Sequence, residues 1–202
     1  MNLARRTFFS FQYKPDVNRA WIVRNSWVTK LTQGSRSDAG FFDSSVFEAA
    51  EREDPESLKR FLREGLENTS VTCVLVGETT VLSRWVRYEI LRSFMCGNGP
   101  FAIRIHSIPS FNVSCSPSGS NPFDALAFAV ADDRVRFREY MTTGWQSARD
   151  VGSMPLSETR YDLKGMTNHT FSCLFPIYDW QADKGMTNLN SWIESAARLA
   201  GR

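Results

Sequence analysis

The sequence predicts an α/β fold built on a doubly wound parallel sheet. Through the first half of the chain, short apolar runs alternate with segments that have helical spacing, which is typical of strands linked by crossover helices. The apolar runs are nearly continuous, as expected for strands buried on both faces. With 202 residues, of which 42% are hydrophobic and 23% charged, the chain is long enough for one domain with a sizeable core.

The predicted elements of the first half, in chain order, are strand 6–11, helix 17–30, strand 39–42, helix 55–68, strand 70–76, helix 85–96 and strand 101–105. The first strand ends at the polar run Gln12-Tyr13-Lys14-Pro15-Asp16. Asp54-Pro55-Glu56 has the features of a helix start, because an N-cap acid is followed by proline at the first position. Gly97-Asn98-Gly99-Pro100 is expected to stop the helix that precedes it.

The second half is less regular. It is read as a long Ser- and Pro-rich loop at 109–122, strands 126–130 and 135–140, a polar segment at 143–168, an apolar run at 171–177 and an amphipathic helix at 189–199. Asp132-Asp133 is expected to form the turn between the two strands. We expect one domain over 1–202, with a core at about 5–108 and an extension at about 109–202 packed on it. The segment 143–168 has no assigned role.

Charge and cysteine usage narrow the classes of function. The net charge of +2 is too small to predict binding to nucleic acid or to a membrane surface. No apolar run approaches the length that spans a bilayer, and the N-terminus lacks the features of a signal peptide, so we expect a cytoplasmic protein. The four cysteines form no CxxC pair and the chain has two histidines, so we predict reduced thiols and no metal site.

Trp85 and Glu89 mark the candidate site. They are four residues apart at the start of a predicted helix, which places them on one helical face. The helix follows a buried strand, and open α/β sheets bind ligands at the carboxyl ends of their strands. An aromatic ring and a carboxylate at that edge predict a small-molecule pocket.

The order of these motifs resembles the TIR-like family of the MTH538 type, within the wider Toll/interleukin-1 receptor superfamily. The resemblance rests on segments spread over nearly the whole chain: Thr7–Phe11, Phe42-Asp43-Ser44-Ser45, Val71–Gly77 with Ser83–Ile90, Asn121-Pro122-Phe123, and Tyr178-Asp179-Trp180 through Glu194. It implies a flavodoxin-like, TIR-like sheet with a C-terminal strand-and-helix extension specific to the family.

The resemblance also implies an activity. Bacterial members include the ThsB component of Thoeris anti-phage defence, in which a TIR protein senses infection and converts NAD+ into a cyclic ADP-ribose isomer or related nucleotide. That messenger activates a separate effector. The implied partners are therefore NAD+, the effector, a phage protein as trigger and further copies of the same chain. NAD+ is consumed as the substrate, and no cofactor is expected.

Residue by residue, the family motif W-x-x-x-E places the catalytic carboxylate at Glu89. The substrate-contacting positions of the family correspond to Phe11, Gln12 and Tyr13. We add Asp43, Ser45, Arg84 and Trp85 as candidate substrate-binding residues: Asp43 and Ser45 from the ending of the second strand, Arg84 for a pyrophosphate, and Trp85 for a flat apolar wall.

Each residue also has a structural explanation. A glutamate on an amphipathic helix is usually a solvated residue, and a large aromatic such as Trp85 is usually packed in the core. The main alternative function is a non-catalytic TIR adaptor that acts through homotypic contacts. A phosphoacceptor or flavin site on the same scaffold is disfavoured, because Ser10-Phe11-Gln12 brings neither clustered acids nor a phosphate loop to the end of the first strand.

Overall fold

A computed structural model describes residues 5–28, 54–110 and 115–202 of the chain. Its helices and strands, apart from short 3-10 turns, are β1 (Thr7–Ser10), α1 (Tyr13–Val28), α2 (Pro55–Glu67), β2 (Val71–Val76), α3 (Arg84–Cys96), β3 (Gly99–Arg104), β4 (Leu126–Ala131), β5 (Arg134–Met141), β6 (Gly144–Ser147), β7 (Met154–Pro155), β8 (Asn168–Thr170), β9 (Ile177–Asp179) and α4 (Gly185–Leu199). The predicted strand 39–42 lies outside the described residues.

A parallel sheet in the order β1-β2-β3-β9 forms the centre of the fold. Helices cover both of its faces, so the predicted α/β class is confirmed. All six residues of β2 are buried. Alternate residues of that strand supply two separate clusters: Val71, Cys73 and Leu75 pack with α1 and α4, whereas Val74 and Val76 pack with α3. Burial on both faces explains why every residue of the strand except Thr72 is apolar.

Helix α1 and strand β3 both begin earlier than the sequence predicts. Helix α1 starts at Tyr13 rather than at residue 17. Proline lacks a backbone N–H, but the first turn of a helix leaves its N–H groups unbonded, so Pro15 fits there. Strand β3 starts at Gly99, with Pro100 as its second residue. Because pairing with β9 begins only at Ala102, we infer that Pro100 interrupts no hydrogen bond of the sheet.

The helices that precede and follow β2 in the chain, α2 and α3, have the ends that their sequences predict. The carboxylate of Asp54 accepts hydrogen bonds from the backbone N–H groups of Glu56 and Ser57 and so caps α2. The hydroxyl of Ser83 caps α3 in the same way, and Gly97 ends α3 in the left-handed conformation with φ 67°. The predicted stop at Gly97 is therefore confirmed.

A second, antiparallel sheet follows in the order β6-β5-β4-β8, with β7 paired to β5. Asp132 and Asp133 connect β4 to β5 and have φ values of 52° and 55°. Two successive positive φ angles are typical of a type I′ turn, whose twist matches that of a hairpin. The predicted hairpin is confirmed, and part of the unassigned segment 143–168 proves to be β6 and β7.

The last part of the chain returns to the parallel sheet. Strand β9 comes from the end of the predicted apolar run and pairs with β3. Helix α4 begins at Gly185, four residues before the prediction, and packs its apolar side on β2, β3 and α1. Thus, within the part of the chain that the structure describes, the last strand of the sheet that begins at residue 7 is formed by residues 177–179. No helix among the described residues is long and apolar enough to span a membrane.

Phe94 connects α3 to the antiparallel sheet. Its ring is fully buried, and its centroid lies between 4.6 and 6.4 Å from those of five other aromatic rings. These rings belong to Phe128, Phe137, Tyr161, Phe171 and Phe175. Pairs at such distances add to the stabilisation that burial alone provides. This aromatic cluster is the main apolar connection between the helix and the C-terminal half.

We predict that Phe94→Ala lowers the free energy of unfolding by about 3–5 kcal/mol, because it leaves a large cavity in a rigid cluster. Urea unfolding followed by far-UV circular dichroism measures this change. Leu82→Ala is the matched control, since the side chain of Leu82 is 72% exposed, and a shift within about 0.5 kcal/mol is expected. Equal effects of the two substitutions would contradict the role of the cluster.

Candidate active site

The site begins where β1 ends. Phe8 and Ser10 share one side of the strand because side chains alternate, and both face the side of the sheet that α3 covers. The hydroxyl of Ser10 donates a hydrogen bond to Oε2 of Glu89 on α3. The register of β1 and β2 pairs Ser10 with Val74, within the strand that leads into α3. The carboxyl group of Glu89 is thus held at the carboxyl end of β1.

Glu89 is buried, with only 5% of its surface exposed. Burial raises the pKa of its carboxyl group from 4.5 to about 8, and the hydrogen bond from Ser10 opposes that rise only in part. Among the described residues it forms no ion pair with a basic side chain. A carboxyl group with this pKa keeps its proton at neutral pH in the free protein. Perturbed groups of this kind mark candidate functional sites.

A second buried carboxyl group, Asp16, lies in the first turn of α1 and is 2% exposed. Burial raises its pKa to about 6, against the lowering effects of Thr80 and Arg19. Thr80 bridges two groups: it accepts a 2.9 Å hydrogen bond from the N–H of Gly77 and donates to Asp16 at 3.4 Å. A Cβ at position 77 would lie 2.1 Å from the Asp16 carboxylate. Only glycine therefore allows the end of β2 to pack against α1.

The predicted substrate-contacting residues lie between β1 and the first turn of α1. The side-chain oxygen of Gln12 accepts a 2.7 Å hydrogen bond from the hydroxyl of Thr79, in the loop after β2. The rings of Phe11 and Tyr13 are half-buried, and their centroids are 6.2 Å apart. The structure therefore brings the loop after β1 into contact with the loop after β2, at the edge where Glu89 is held.

Arg84 and Trp85 are the first two residues of α3. The ring of Trp85 packs edge-on against Tyr88 and joins the apolar cluster of β1 and α2. Arg84 makes two hydrogen bonds to the carboxylate of Asp150, at 2.6 and 2.7 Å. The bond from Arg84 is the main cause that lowers the pKa of Asp150 to about 2. The charge of Arg84 is therefore neutralised within the protein.

Arg87 connects the site to β5. Its guanidinium donates to the backbone oxygen of Val81, in the loop after β2, and to that of Tyr140, at 2.9 and 3.1 Å. The carboxylate of Glu139 lies 3.5 Å from the same group, and both side chains are less than 10% exposed. Arg87 precedes Glu89 by two residues on α3. A buried ion pair thus joins the helix of the candidate site to the antiparallel sheet.

Asp43 and Ser45 lie outside the described residues, so their predicted role stays a prediction. Sequence reasoning missed Ser10, Asp16 and Asp150. Because side chains alternate along β1, Ser10 lies on the same face as Phe8, and this alternation could have identified Ser10 from the sequence. Asp16 was hidden because the helix was expected to begin after it. Asp150 lies in the unassigned polar segment, and no pattern in the sequence points to its partners.

A cavity of about 560 Å³ opens elsewhere, and its described lining residues are Asn18, Trp21, Ile22, Asn25, Pro109 and Ser110. Its volume is in the range of small-molecule sites. None of the predicted site residues within the described ranges lines it. Over the same ranges, no group of three or more His, Cys, Asp and Glu side chains is placed to hold a metal ion.

Comparison with known proteins identifies the family. Residues 8–110 match the family described as "Thoeris protein ThsB, TIR-like domain". The chain belongs to the ThsB family. It is also 38% identical over 194 residues to a protein of Bacillus cereus (strain MSX-D12) that is named "Putative cyclic ADP-D-ribose synthase ThsB1". This alignment covers 95% of the chain and 100% of that relative.

Membership of the ThsB family confirms the resemblance that the motifs predicted. The matched range contains Ser10, Gln12 and Glu89, so the geometry at the carboxyl end of β1 lies inside the ThsB TIR-like domain. The alignment with the relative extends well beyond residue 110. The similarity of the two ThsB proteins is therefore not confined to the parallel sheet.

We predict that Glu89→Gln stabilises the protein above about pH 5. In the unfolded chain the carboxyl group ionises near its ordinary pKa of 4.5, whereas in the folded protein it holds its proton until about pH 8. The wild type therefore loses stability as pH rises through this window and levels off above it. At pH 7 the advantage of the variant is on the order of 3 kcal/mol.

Thermal unfolding between pH 4 and pH 9 measures this difference. Glu64→Gln, on the exposed surface of α2, is the matched control and is expected to leave the profile unchanged. A wild-type stability that stays constant between pH 5 and pH 8, relative to Glu89→Gln, would contradict the raised pKa.

Proposed function

We propose that the protein cleaves NAD+ and joins the ends of the resulting ADP-ribose into a cyclic signalling nucleotide, with Glu89 as the catalytic carboxylate. The observation that carries the proposal is the buried Glu89 carboxyl group held by Ser10 at the carboxyl end of β1. The name of the Bacillus cereus relative, a cyclic ADP-D-ribose synthase, supports the same class of reaction.

The reaction breaks the N-glycosidic bond between nicotinamide and its ribose. Nicotinamide leaves as a neutral molecule with the electron pair of that bond, so it needs no acid to protonate it. The ribose carbon becomes positively charged, as in the transition states of glycoside cleavage. A hydroxyl or ring nitrogen of the same molecule then forms the new bond; any proton that it carried is released. Attack by water instead gives linear ADP-ribose.

Glu89 stabilises the developing positive charge when it is ionised. In the free protein its proton neutralises a group that would otherwise carry an unpaired charge in the interior. The positive nicotinamide ring of bound NAD+ lowers the cost of ionisation, since opposite charges attract strongly away from water. Binding of substrate and activation of the carboxylate are thereby coupled.

The surrounding residues provide binding and orientation. Phe11 and Tyr13 offer flat apolar surfaces for a base or for nicotinamide, and Gln12 is oriented by Thr79. Trp85 acts through packing of α3. Arg84 is paired with Asp150, and it contacts a pyrophosphate only if that pair opens. Asp43 and Ser45 complete the proposed set. NAD+ serves as substrate and is not retained as a cofactor.

The remaining parts of the proposal concern signalling. The cyclic nucleotide activates a separate effector protein in the cytoplasm, a phage protein triggers its synthesis, and the active form is a homo-oligomer. The match to the Thoeris ThsB family supports this order of events. The competing function, a non-catalytic adaptor, needs homotypic contacts but no buried carboxylate.

We predict that Glu89→Gln abolishes the nucleotide product, with a loss of at least about a hundredfold. The protein is expressed with its genomic partner, cells are challenged with phage, and NAD+-derived cyclic nucleotides in lysates are measured by mass spectrometry. Glu64→Gln serves as the control of matched chemistry and is expected to give wild-type levels.

Two outcomes would contradict the proposal. Product formation that survives Glu89→Gln would remove Glu89 from catalysis. Protection by the wild type without any NAD+-derived nucleotide, together with protection by Glu89→Gln, would indicate the adaptor function.

A separate prediction concerns pH. Because the raised pKa keeps Glu89 protonated below about pH 8, kcat/KM for NAD+ is expected to rise with pH, by about tenfold per unit, and to level off above pH 8. Steady-state measurement on triggered protein between pH 6 and pH 9 tests this. A flat or falling profile over that range would contradict catalysis by the ionised carboxylate.

A further inference from the structure

The two faces of β5 differ in chemistry. Val135, Phe137 and Glu139 point inward and are buried, whereas the residues between them lie on the outer face. The outward residues Arg134, Arg136 and Arg138 form a row along the strand, which we call the arginine row. Successive members are two residues apart, so their backbone positions are separated by about 6.6–6.8 Å.

The neighbouring strand leaves the arginine row accessible. The register of β4 and β5 pairs Arg134 with Ala131, Arg136 with Ala129 and Arg138 with Ala127. Cross-strand partners lie on the same face of a sheet, so each arginine stands beside a methyl group. At the end of the row, Tyr140 is 52% exposed and packs edge-on against Trp145.

The arginine row is poorly neutralised within the protein. Arg134 donates to the side chain and backbone oxygens of Ser153. Arg136 pairs with Asp132, but both side chains are exposed, and such pairs exchange readily with other anions. Across residues 5–28, 54–110 and 115–202, Arg138 meets no carboxylate at ion-pair distance.

A small cavity opens beside Arg138. It has a volume of about 140 Å³, and its described lining is Ala127, Arg138, Trp145, Asn168, His169 and Thr170. Sites for drug-sized ligands have volumes of roughly 300–1,000 Å³, so this cavity is too small for a nucleotide. A single acidic side chain fits it. Guanidinium, side-chain amide and hydroxyl groups, as in Arg138, Asn168 and Thr170, are suitable partners for a carboxylate.

We propose that the arginine row binds an extended, acidic segment of a partner protein. In an extended chain, alternate side chains point to one side with the same repeat as the row. A segment with an acidic residue at every second position therefore places successive carboxylates opposite successive arginines, with one carboxylate in the cavity beside Arg138. The net charge of the whole chain, only +2, favours an acidic peptide over nucleic acid.

The same strand reaches the candidate active site, and this part of the inference rests on the proposed function. The side chain of Glu139, on the inner face of β5, and the backbone oxygen of Tyr140 both accept hydrogen bonds from Arg87. Arg87 in turn holds the loop after β2 and precedes Glu89 by two residues. A partner that shifts β5 therefore shifts the helix that carries Glu89.

The test uses the full chain and a fluorescein-labelled peptide of alternating glutamate and serine, with fluorescence anisotropy as the readout. Wild-type protein is expected to bind it, and to bind more weakly a peptide of the same composition whose glutamates form one block. Arg138→Gln is expected to weaken binding by about tenfold, the loss typical of one close charge pair. The triple variant Arg134→Gln, Arg136→Gln, Arg138→Gln is expected to abolish it.

The matched control is Arg60→Gln, Arg63→Gln, Arg198→Gln, which removes the same charge from the surfaces of α2 and α4. Circular dichroism confirms that each variant is folded. A control that loses as much affinity as the triple variant would overturn the proposal, as would wild-type protein that fails to bind. Tighter binding of an oligothymidine at the same ionic strength would overturn it in favour of nucleic acid. Equal binding of the two peptides would overturn the proposed match between the spacing of the glutamates and the spacing of the arginine row.

NAD+ turnover with and without the alternating peptide tests the connection to Glu89. We expect the peptide to change the turnover of the wild type and to leave that of the triple variant unchanged. Binding without any change in turnover would overturn the connection alone. If no variant turns over NAD+ while the peptide still binds, the proposed function fails and the binding surface stands.

Discussion

The structure depends on keeping one carboxyl group away from water. Glu89 lies on the side of α3 that faces β1 and accepts a hydrogen bond from Ser10, and an isolated charge in such a place costs several kcal/mol. Protonation lowers that cost, which is why the pKa of the group rises. The apolar packing of the sheet must offset what remains. In the proposed function, stability and reactivity therefore depend on the same side chain, and each limits how far the other can be improved.

Three contacts hold α3 against the antiparallel sheet and its connecting segments. Phe94 inserts into the aromatic cluster, Arg87 pairs with Glu139, and Arg84 pairs with Asp150. The packing of Phe94 is non-directional, whereas the two ion pairs define the rotation of α3 about its axis. Breaking one partner of the buried Arg87–Glu139 pair would leave an uncompensated charge. The C-terminal half is thus part of the machinery that orients the carboxylate, although it contributes no residue to the proposed reaction.

Local signals in the sequence were sufficient for most elements of the fold. The continuous apolar run of β2, the caps at Asp54 and Gly97 and the turn at Asp132-Asp133 each have a short-range cause. Glu89 was predicted as a site residue from spacing and family resemblance. Its partner Ser10 and the acid Asp16 were not, because their burial arises from elements distant in the chain. The start of α1 was misplaced because the polar run that contains Pro15 was assigned to the connection after the first strand, whereas the first helical turn accepts proline.

The late arrival of β9 has a consequence for synthesis on the ribosome. The edge of β3 that β9 covers stays open until residues 177–179 have emerged, and α4 packs on the sheet only after that. Pairing between segments so distant in sequence is slow, and an open strand edge invites aggregation. A nascent chain that stops before this point carries Glu89 in an incomplete sheet. The sheet that supports Glu89 therefore gains this strand only late in synthesis.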